Sequence, residues 1–215
     1  MANSVGRSRT YRSDLRQEQA AQTRRRVVQA AVRLFSRDGY RATTFAQLAT
    51  EAGVSVKTVQ EHGPKSALLQ AAVELASFGV EGETDFFATD LGRAMLQIRD
   101  PGELATMIGE AMLAINTPSA DLWMTFVGAA HGDVELNGYH ARMLALIRGQ
   151  VNHVLDYVNN QGWLRRDVPF DDLVEACCVI TCVETYVRFV QHDSKSPAQY
   201  KAFVTRTLRE TVFAP

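Results

Sequence analysis

Apolar residues recur at three- and four-residue spacing along most of the chain, which is the period of helices with one buried face. The first clear segment covers residues 18–37, and its apolar positions are Val27, Ala30, Ala31, Leu34 and Phe35. Asp38-Gly39 follows, and glycine commonly ends helices. We find no convincing strand pattern. The pattern therefore predicts an all-α fold.

The same period predicts further helices downstream, several of which start at a proline or end at a glycine. Their ranges are residues 65–82, 101–115, 118–130, 134–161, 171–192 and 197–213, whereas residues 84–92 are less regular. The last two of these helices are apolar around most of their circumference. Such helices are covered on two sides, which indicates either one large monomer core or pairing with a second copy of the chain.

Residues 44–62 predict two short helices joined by a tight turn. Thr43 or Thr44 can cap the first helix, and Gln47 stands three residues beyond Thr44, as in a capping box. Gly53 breaks that helix, and Ser55 can cap the next one. This is the helix-turn-helix pattern, in which the second helix enters the major groove of DNA. A plain helical hairpin in an all-α domain is the alternative.

Charge divides the chain into two unequal blocks. Residues 1–70 hold 12 Lys or Arg and 5 Asp or Glu, a net of +7, while residues 71–215 hold 11 and 19, a net of −8. A basic block beside an acidic one indicates that only the first third faces a polyanion. Nucleic acid is favoured over a membrane surface because the basic block contains the helix-turn-helix pattern. No apolar run is long enough for a membrane span, and no signal peptide is recognisable.

The first 17 residues are polar and basic, and we expect a flexible arm there. Arg7, Arg9 and Arg12 are its candidate DNA contacts, because the N-terminal arms of some helix-turn-helix proteins reach into a groove. A disordered solubilising tail is the alternative.

The stretch from Thr23 to Val73 resembles the TetR family of transcriptional regulators. Its segment TRRRVVQAAVRLFSRDGYRATTFAQLATEAGVSVKTV is similar to the first three helices of that family, and KSALLQAAVE to the start of the fourth. The resemblance implies a helix-turn-helix DNA-binding domain at residues 18–64 and a ligand-binding and dimerisation domain at residues 65–215. It also implies a homodimer on a palindromic operator in double-stranded DNA, and a repressor that a small molecule releases.

The resemblance also assigns DNA contacts, with solvated surface residues as the alternative. The implied contacts are to phosphates from Thr44 and Ser55, to bases from Lys57, Thr58 and Gln60, and to the backbone from His62 and Lys65. Arg24 and Arg41 are further phosphate candidates. The family usually has Tyr where Gln60 stands, and its Phe is absent near His62. We therefore expect the recognition helix to end early.

A ligand pocket in such a body would lie among the middle helices, where methionine and aromatic side chains are frequent. Its candidate walls are Met107, Met112, Trp123, Phe126, Met143, Tyr157 and Cys178. Few charged residues fall on the inner stripes, so the expected effector is a small apolar molecule. Ordinary core packing is the alternative.

In the family, the final two helices pair with their copies in a four-helix dimer interface. The apolar character of the last two predicted helices fits this arrangement. The candidate interface residues are Val183, Val187, Val190, Phe203, Val204 and Leu208.

Other chemistry is only weakly indicated. The clustered Cys177, Cys178 and Cys182 lack a disulfide framework, which favours a reducing cytoplasm, although a thiol sensor or a metal site is an alternative. Potential metal ligands also stand together at His131, Asp133, Glu135 and His140, where a solvated helix start is the simpler explanation. No nucleophile motif or phosphate loop is present, so we expect neither a cofactor nor an enzyme. An accessory DNA-binding regulator without an effector remains an alternative.

Overall fold

The structure, a computed structural model, describes residues 5–79, 81, 87 and 89–214, with side chains from residue 17 onward. Its α-helices are α1 (Val5–Asp38), α2 (Phe45–Ala52), α3 (Val56–Glu61), α4 (Lys65–Phe78), α5 (Asp90–Met95), α6 (Pro101–Ala130), α7 (Val134–Asn160), α8 (Phe170–Thr181), α9 (Val183–Tyr186) and α10 (Pro197–Thr211). A π-helical stretch, Val187–His192, continues α9. The described residues contain no strand beyond an isolated bridge between Leu164 and Phe213. The predicted all-α fold is confirmed.

The two short helices of the predicted helix-turn-helix form as expected. Thr44 Oγ1 accepts from the N–H of Gln47 at 3.2 Å, and the Gln47 side chain accepts from the N–H of Thr44 at 2.8 Å, which completes the capping box. Gly53 ends α2 with φ 64°, a left-handed conformation that suits glycine. Ser55 Oγ accepts from the N–H of Thr58 at 3.0 Å and caps α3. The helix-turn-helix prediction is confirmed.

One hydrophobic core joins α1–α4 to the adjoining parts of α6 and α7. Phe35, Leu48 and Val59 are fully buried in it, and Phe126 of α6 packs among them from the other side. Burial of each such side chain contributes about 1.5–3 kcal/mol. Because α4 packs against both α1 and α6, the packing does not divide at the predicted boundary between residues 64 and 65.

A second core fills the rest of the body, where α10 packs along α6. Its fully buried members include Leu104, Leu173, Tyr200 and Val204. The two helices approach closely at Gly109, because a Cβ atom there would lie 2.3 Å from Thr205 Oγ1. The absence of a side chain at this position therefore sets the distance between α6 and α10.

The helix predicted to end at residue 115 and the one predicted to start at Pro118 are a single helix, α6, with the proline inside it. A proline in a helix interior removes one backbone hydrogen bond and costs about 3 kcal/mol. The neighbouring Asn116, Ser119 and Ala120 are nonetheless buried. Ser119 Oγ also donates to the Ile115 carbonyl at 2.6 Å. Tertiary packing on both sides of the proline thus keeps α6 continuous, and the predicted break was wrong.

The long apolar helix predicted before α10 is in turn broken at Cys182, whose ψ of 158° is extended. Side chains satisfy carbonyl groups that the break leaves without helical partners. Thr185 Oγ1 donates to the Val179 carbonyl at 2.6 Å, and Asn116 Nδ2 donates to the Thr181 carbonyl at 3.2 Å. These contacts come from across the break and from α6, so the local pattern of α8 did not reveal them.

The first helix begins at Val5, earlier than the predicted start at residue 18. The backbone of most of the predicted flexible arm is therefore helical. The side chains of Arg7, Arg9 and Arg12 lie outside the described part of the chain, so their contact with DNA stays a prediction. None of the described helices is long and apolar enough to cross a membrane.

Candidate functional site

Helix α3 combines a buried anchor with an accessible polar face. Val59 is fully buried in the first core, while Lys57 and Gln60 are exposed and Thr58 is half-buried. A helix held by one buried residue can present its other side chains to a groove. The three residues proposed to read bases thus share one accessible helix, and their base contacts stay a prediction.

The two capping hydroxyls proposed as phosphate donors already have partners. Thr44 Oγ1 donates to Gln47 Oε1 at 2.9 Å. Ser55 Oγ lies 2.8 Å from Thr58 Oγ1, where either oxygen can be the donor. To donate to a phosphate, the Thr44 hydroxyl would have to give up the hydrogen bond that it donates to Gln47.

The recognition helix ends at Glu61, and the expectation that it ends earlier than in the family stays a prediction. The next residue, His62, caps it, and its carbonyl accepts from Arg24 Nη1 at 2.7 Å. The His62 side chain is half-buried, and its Nε2 has no hydrogen-bond partner among the described residues. Gly63 then turns the chain with φ 118°, a conformation that favours glycine.

Arg24 is engaged inside the protein and is not free for phosphate. Its Nε donates to both carboxylate oxygens of Glu81, and its Nη1 holds the His62 carbonyl. One guanidinium thereby connects α1, the end of α3 and the segment after α4. The proposal that Arg24 contacts DNA is not supported by this arrangement.

Lys65 likewise has partners within the protein. Its Nζ donates to the Tyr40 carbonyl at 2.8 Å and to the Thr43 carbonyl at 3.2 Å, and it lies 4.4 Å from the centre of the Tyr40 ring. Burial lowers the pKa of this ammonium group. Lys65 therefore fastens the loop between α1 and α2, and its contact with the DNA backbone stays a prediction.

Exposed cations remain around the helix-turn-helix. Ion pairs engage Arg24, Arg33 and Arg37. The exposed cations that form no ion pair among the described residues of this part are Arg25, Arg26, Arg41 and Lys57. Unpaired Lys and Arg side chains are what neutralise phosphates in DNA-binding proteins. The net positive charge predicted from the sequence is thus accessible.

A cavity of about 480 Å³ lies in the body, bounded by members of both cores. Four of the predicted walls line it, namely Met112, Trp123, Met143 and Cys178. The lining is mostly apolar, and its volume suits a drug-sized molecule. The region predicted for a pocket therefore holds one.

Three predicted walls do not line this cavity. Phe126 is fully buried, with its ring packed edge-on against Trp123. Tyr157 points its hydroxyl to the Ile98 carbonyl, and Met107 packs on the second core. Helical spacing alone did not distinguish a residue that fills a core from one that borders a void.

The cavity wall also carries polar groups that the sequence analysis missed. Trp123 Nε1 donates to Glu184 Oε1 at 2.7 Å. Arg148 and Glu175 form an ion pair, and Asn116 donates to the Tyr200 hydroxyl at 2.8 Å. The signal for Glu184 was present in the sequence.

The sequence signal for Glu184 is the lack of other charged residues near it along the chain. Glu184 is the one charged residue between Ala176 and Val187, and an acid within an apolar helical stretch indicates a specific partner. The aromatic walls Phe78 and Phe87 were also missed, because they lie at the end of α4 and in the irregular segment after it.

The three cysteines are free thiols. Burial raises the pKa of Cys177 to about 12 and also raises the pKa values of Cys178 and Cys182. Because the thiolate is the reactive form, this environment disfavours a thiol sensor.

The described residues contain no group of three potential metal ligands. Among the candidate ligands named from the sequence, Asp133 caps α7 by accepting from the N–H of Leu136 at 3.1 Å.

Half of the predicted dimer interface lies inside the chain. Val187, Val204 and Leu208 are 5%, 0% and 2% exposed, because they pack into the second core. They are not available to a partner. Val183, Val190 and Phe203 are half-buried.

Comparison with known proteins agrees with the helix-turn-helix assignment. Residues 27–72 match the family model described as bacterial regulatory proteins, tetR family. This segment runs from α1 through α4, so it contains the complete helix-turn-helix. No curated protein matches the chain in sequence.

Several solved structures share the fold of this chain at low sequence identity. A proposed transcriptional regulator from Saccharomonospora viridis, solved with choline, has a TM-score of 0.72 and 17% identity, covering 91% of this chain and 100% of that one. A proposed TetR-family regulator from Mesorhizobium loti has a TM-score of 0.69 and 17% identity, covering 89% and 96%. A complex of SmeT with triclosan has a TM-score of 0.69 and 16% identity, covering 89% and 92%.

Proposed function

We propose that this chain, which carries the DNA-binding domain of TetR-family transcriptional regulators, binds a palindromic operator as a homodimer and represses transcription until a small molecule enters its cavity. The observation that carries the proposal is the accessible face of α3, with exposed Lys57 and Gln60 above the buried Val59. Two such helices on one dimer would read two half-sites.

The DNA contacts divide by chemistry. Gln60 can bond an adenine edge with its amide, and Lys57 can donate to a guanine edge. Arg25, Arg26 and Arg41 are exposed cations that would meet phosphates and supply affinity independent of sequence. Lys65 would contribute indirectly, since it holds the Tyr40 and Thr43 carbonyls beside α2.

The cavity supports control by a ligand. Relatives of the same fold have been solved with choline and with triclosan, and the cavity here is of a size that accepts such molecules. An accessory regulator without an effector is the second candidate, but a void of this size lowers the stability of a protein that does not fill it. We propose a binding protein and not an enzyme.

A chain of contacts would connect the cavity with the recognition helix. Phe78 lines the cavity at the end of α4. Glu81 lies three residues later and pairs with Arg24, which holds the His62 carbonyl at the end of α3. A ligand that displaces Phe78 would shift Glu81 and loosen that end. DNA affinity would then fall because the recognition helix loses its support.

The dimer surface is proposed from apolar side chains that the chain leaves partly uncovered. Val183, Val190 and Phe203 are half-buried, and Val179 is 59% exposed. The Phe203 ring stacks on Phe189 at 4.8 Å, so the two helical segments would present one apolar face. Apolar faces of this kind are typical of permanent interfaces.

The function is tested by selecting bound fragments from a random double-stranded DNA library. The expected result is one motif with two similar half-sites in inverted orientation, and an affinity that falls steeply with salt. A selection that returns no shared motif would overturn the specific-regulator proposal.

The proposed dimer is tested by sedimentation analysis of the Phe203→Glu variant. This variant should be monomeric, because it places a charge in the proposed apolar face. Val134→Glu is the matched control, because Val134 is 93% exposed and lies on α7 outside the proposed face. If Phe203→Glu is folded, as judged by circular dichroism, and still sediments as a dimer, the proposed face is wrong.

A further inference from the structure

Within the part of the cavity wall that the structure describes, one carboxylate, that of Glu184, forms no ion pair. Among the described residues, three charged ones line the cavity, namely Arg148, Glu175 and Glu184. Arg148 and Glu175 neutralise each other in an ion pair. Glu184 makes no ion pair with any described residue, and its bond is to the neutral Trp123 indole. The described part of the lining therefore has an excess of one negative charge.

Glu184 is held in place by a buried aromatic side chain. Trp123 is 5% exposed, and its Nε1 donates to Glu184 Oε1 at 2.7 Å. This bond orients the carboxylate, which also interacts with the thiol of Cys182. Because a carboxylate has about four acceptor sites, Glu184 can accept a further bond from a ligand. Phe78, Phe87 and Phe213 also line the cavity, so its lining combines aromatic rings with the carboxylate.

The charge of the wall selects among ligands. Glu184 is an exposed residue at the cavity wall. An apolar molecule that covers its carboxylate removes part of its water, and removing water from an unpaired carboxylate is unfavourable. A positively charged group offsets that loss with a charge-assisted hydrogen bond or ion pair. Aromatic faces also attract cations. A negatively charged group meets repulsion from the same carboxylate.

We infer that the cavity binds amphipathic cations, molecules with an apolar body and one protonated or quaternary amine that lies against Glu184. This deepens the proposed function and rests on its ligand-binding half. It also revises the apolar effector expected from the sequence, because the helical stripes did not place Glu184 at the cavity.

The test measures calorimetric binding of three probes with the same apolar body, namely phenylbutylamine, phenylbutanol and phenylbutanoate, to the full chain at neutral pH. The amine is protonated there, like the side chain of lysine. We expect the amine to bind about tenfold more tightly than the alcohol, as one charge-assisted contact would produce, and the carboxylate to bind most weakly. Equal affinities for the three probes would overturn the inference and leave the proposed function intact.

Two variants of Glu184 locate the effect. Glu184→Gln should bring the affinity for the amine to about that for the alcohol and leave the alcohol unchanged. Glu184→Lys should make the carboxylate the preferred probe, a reversal that structural damage does not produce. Asp172→Asn, which removes the same charge from an exposed position on α8 outside the cavity, should behave as the unsubstituted chain.

Two outcomes would contradict the inference in different ways. A preference for the amine that survives Glu184→Gln would show that another group selects the cation. If none of the three probes binds, both this inference and the ligand-binding half of the proposed function fail, while the DNA-selection experiment still tests the other half.

Discussion

Arg24 and Glu81 face each other across the junction of α1 and the segment after α4, with Arg24 Nε 2.9 Å from one carboxylate oxygen and 3.1 Å from the other. Both side chains are about one-third exposed. An ion pair this accessible contributes little stability, about 0–1 kcal/mol. The ion pair matters because it positions Arg24, whose Nη1 donates to the carbonyl of His62 at the end of the recognition helix.

We therefore predict that Arg24→Gln weakens DNA binding more than Glu81→Gln does. A six-residue helix depends on tertiary contacts for its stability, and only the Arg24 substitution removes the bond to the His62 carbonyl. The expected loss is about tenfold for Arg24→Gln and about threefold for Glu81→Gln, because Glu81 acts only by positioning Arg24; both are measured by fluorescence anisotropy on one operator. Arg33→Gln is the control for charge, since Arg33 lies on the same helix and pairs with Glu51. Equal losses for Arg24→Gln and Arg33→Gln would mean that charge alone matters.

Lys57 and Lys65 should respond differently to substitution. Lys65→Met removes two bonds to loop carbonyls and should lower the free energy of unfolding by about 1–2 kcal/mol. Lys57→Ala should leave that free energy within about 0.5 kcal/mol, because exposed positions contribute little. It should instead weaken DNA binding and relax the base preference at one operator position, because Lys57 is proposed to read a base edge. Denaturant unfolding checks the prediction for Lys65, and DNA titration checks the prediction for Lys57. A Lys65→Met variant as stable as the unsubstituted chain would contradict the prediction for Lys65.

Two glycines of α6 form a matched pair for testing the helix contact. Gly109→Ala places a methyl group against Thr205 Oγ1 and the Lys201 carbonyl, so we expect it to destabilise the protein by about 1–3 kcal/mol. Gly128→Ala meets nothing within 4 Å and should stabilise it by about 0.5–1 kcal/mol through helix propensity. Calorimetric melting should show shifts of opposite sign. Shifts of the same sign would indicate that α6 and α10 separate easily.

Stability should fall at alkaline pH in part because of Cys177. Burial raises the pKa of this thiol from its ordinary value to about 12, so the unfolded chain loses the proton first. The unfolded state then binds fewer protons than the native state, and the free energy of unfolding decreases as pH rises. The contribution is complete below about pH 9 and is lost between about pH 9 and pH 12. Urea unfolding of Cys177→Ala from pH 8 to pH 10.5 should show a shallower decline than the unsubstituted chain, and parallel declines would count against this explanation.

The helix-turn-helix could be predicted because its signals are local. The capping box of Thr44 and Gln47, the left-handed Gly53 and the Ser55 cap each depend on atoms within a few residues. Such interactions are largely the same in any tertiary context, and sequence patterns therefore identify them.

Features that depend on contacts between distant residues were predicted less well. Pro118 suggested a helix break that packing on both sides of it overrides. Cys182, in contrast, sits at a break that no local pattern indicated, and Asn116 of α6 bonds a carbonyl beside it. Lys65 has the position of a phosphate contact, but the Tyr40 and Thr43 carbonyls occupy its ammonium group.

The sequence by itself determined the helical class, the helix-turn-helix and the division between a basic N-terminal block and an acidic remainder, because periodicity, capping and charge are properties of nearby residues. Only the tertiary structure decided which apolar side chains border a void, which cations are already paired, and that Glu184 meets Trp123 at the cavity. The physical reason is that burial and pairing depend on what the rest of the fold brings to each side chain, and those partners come from helices far apart along the chain.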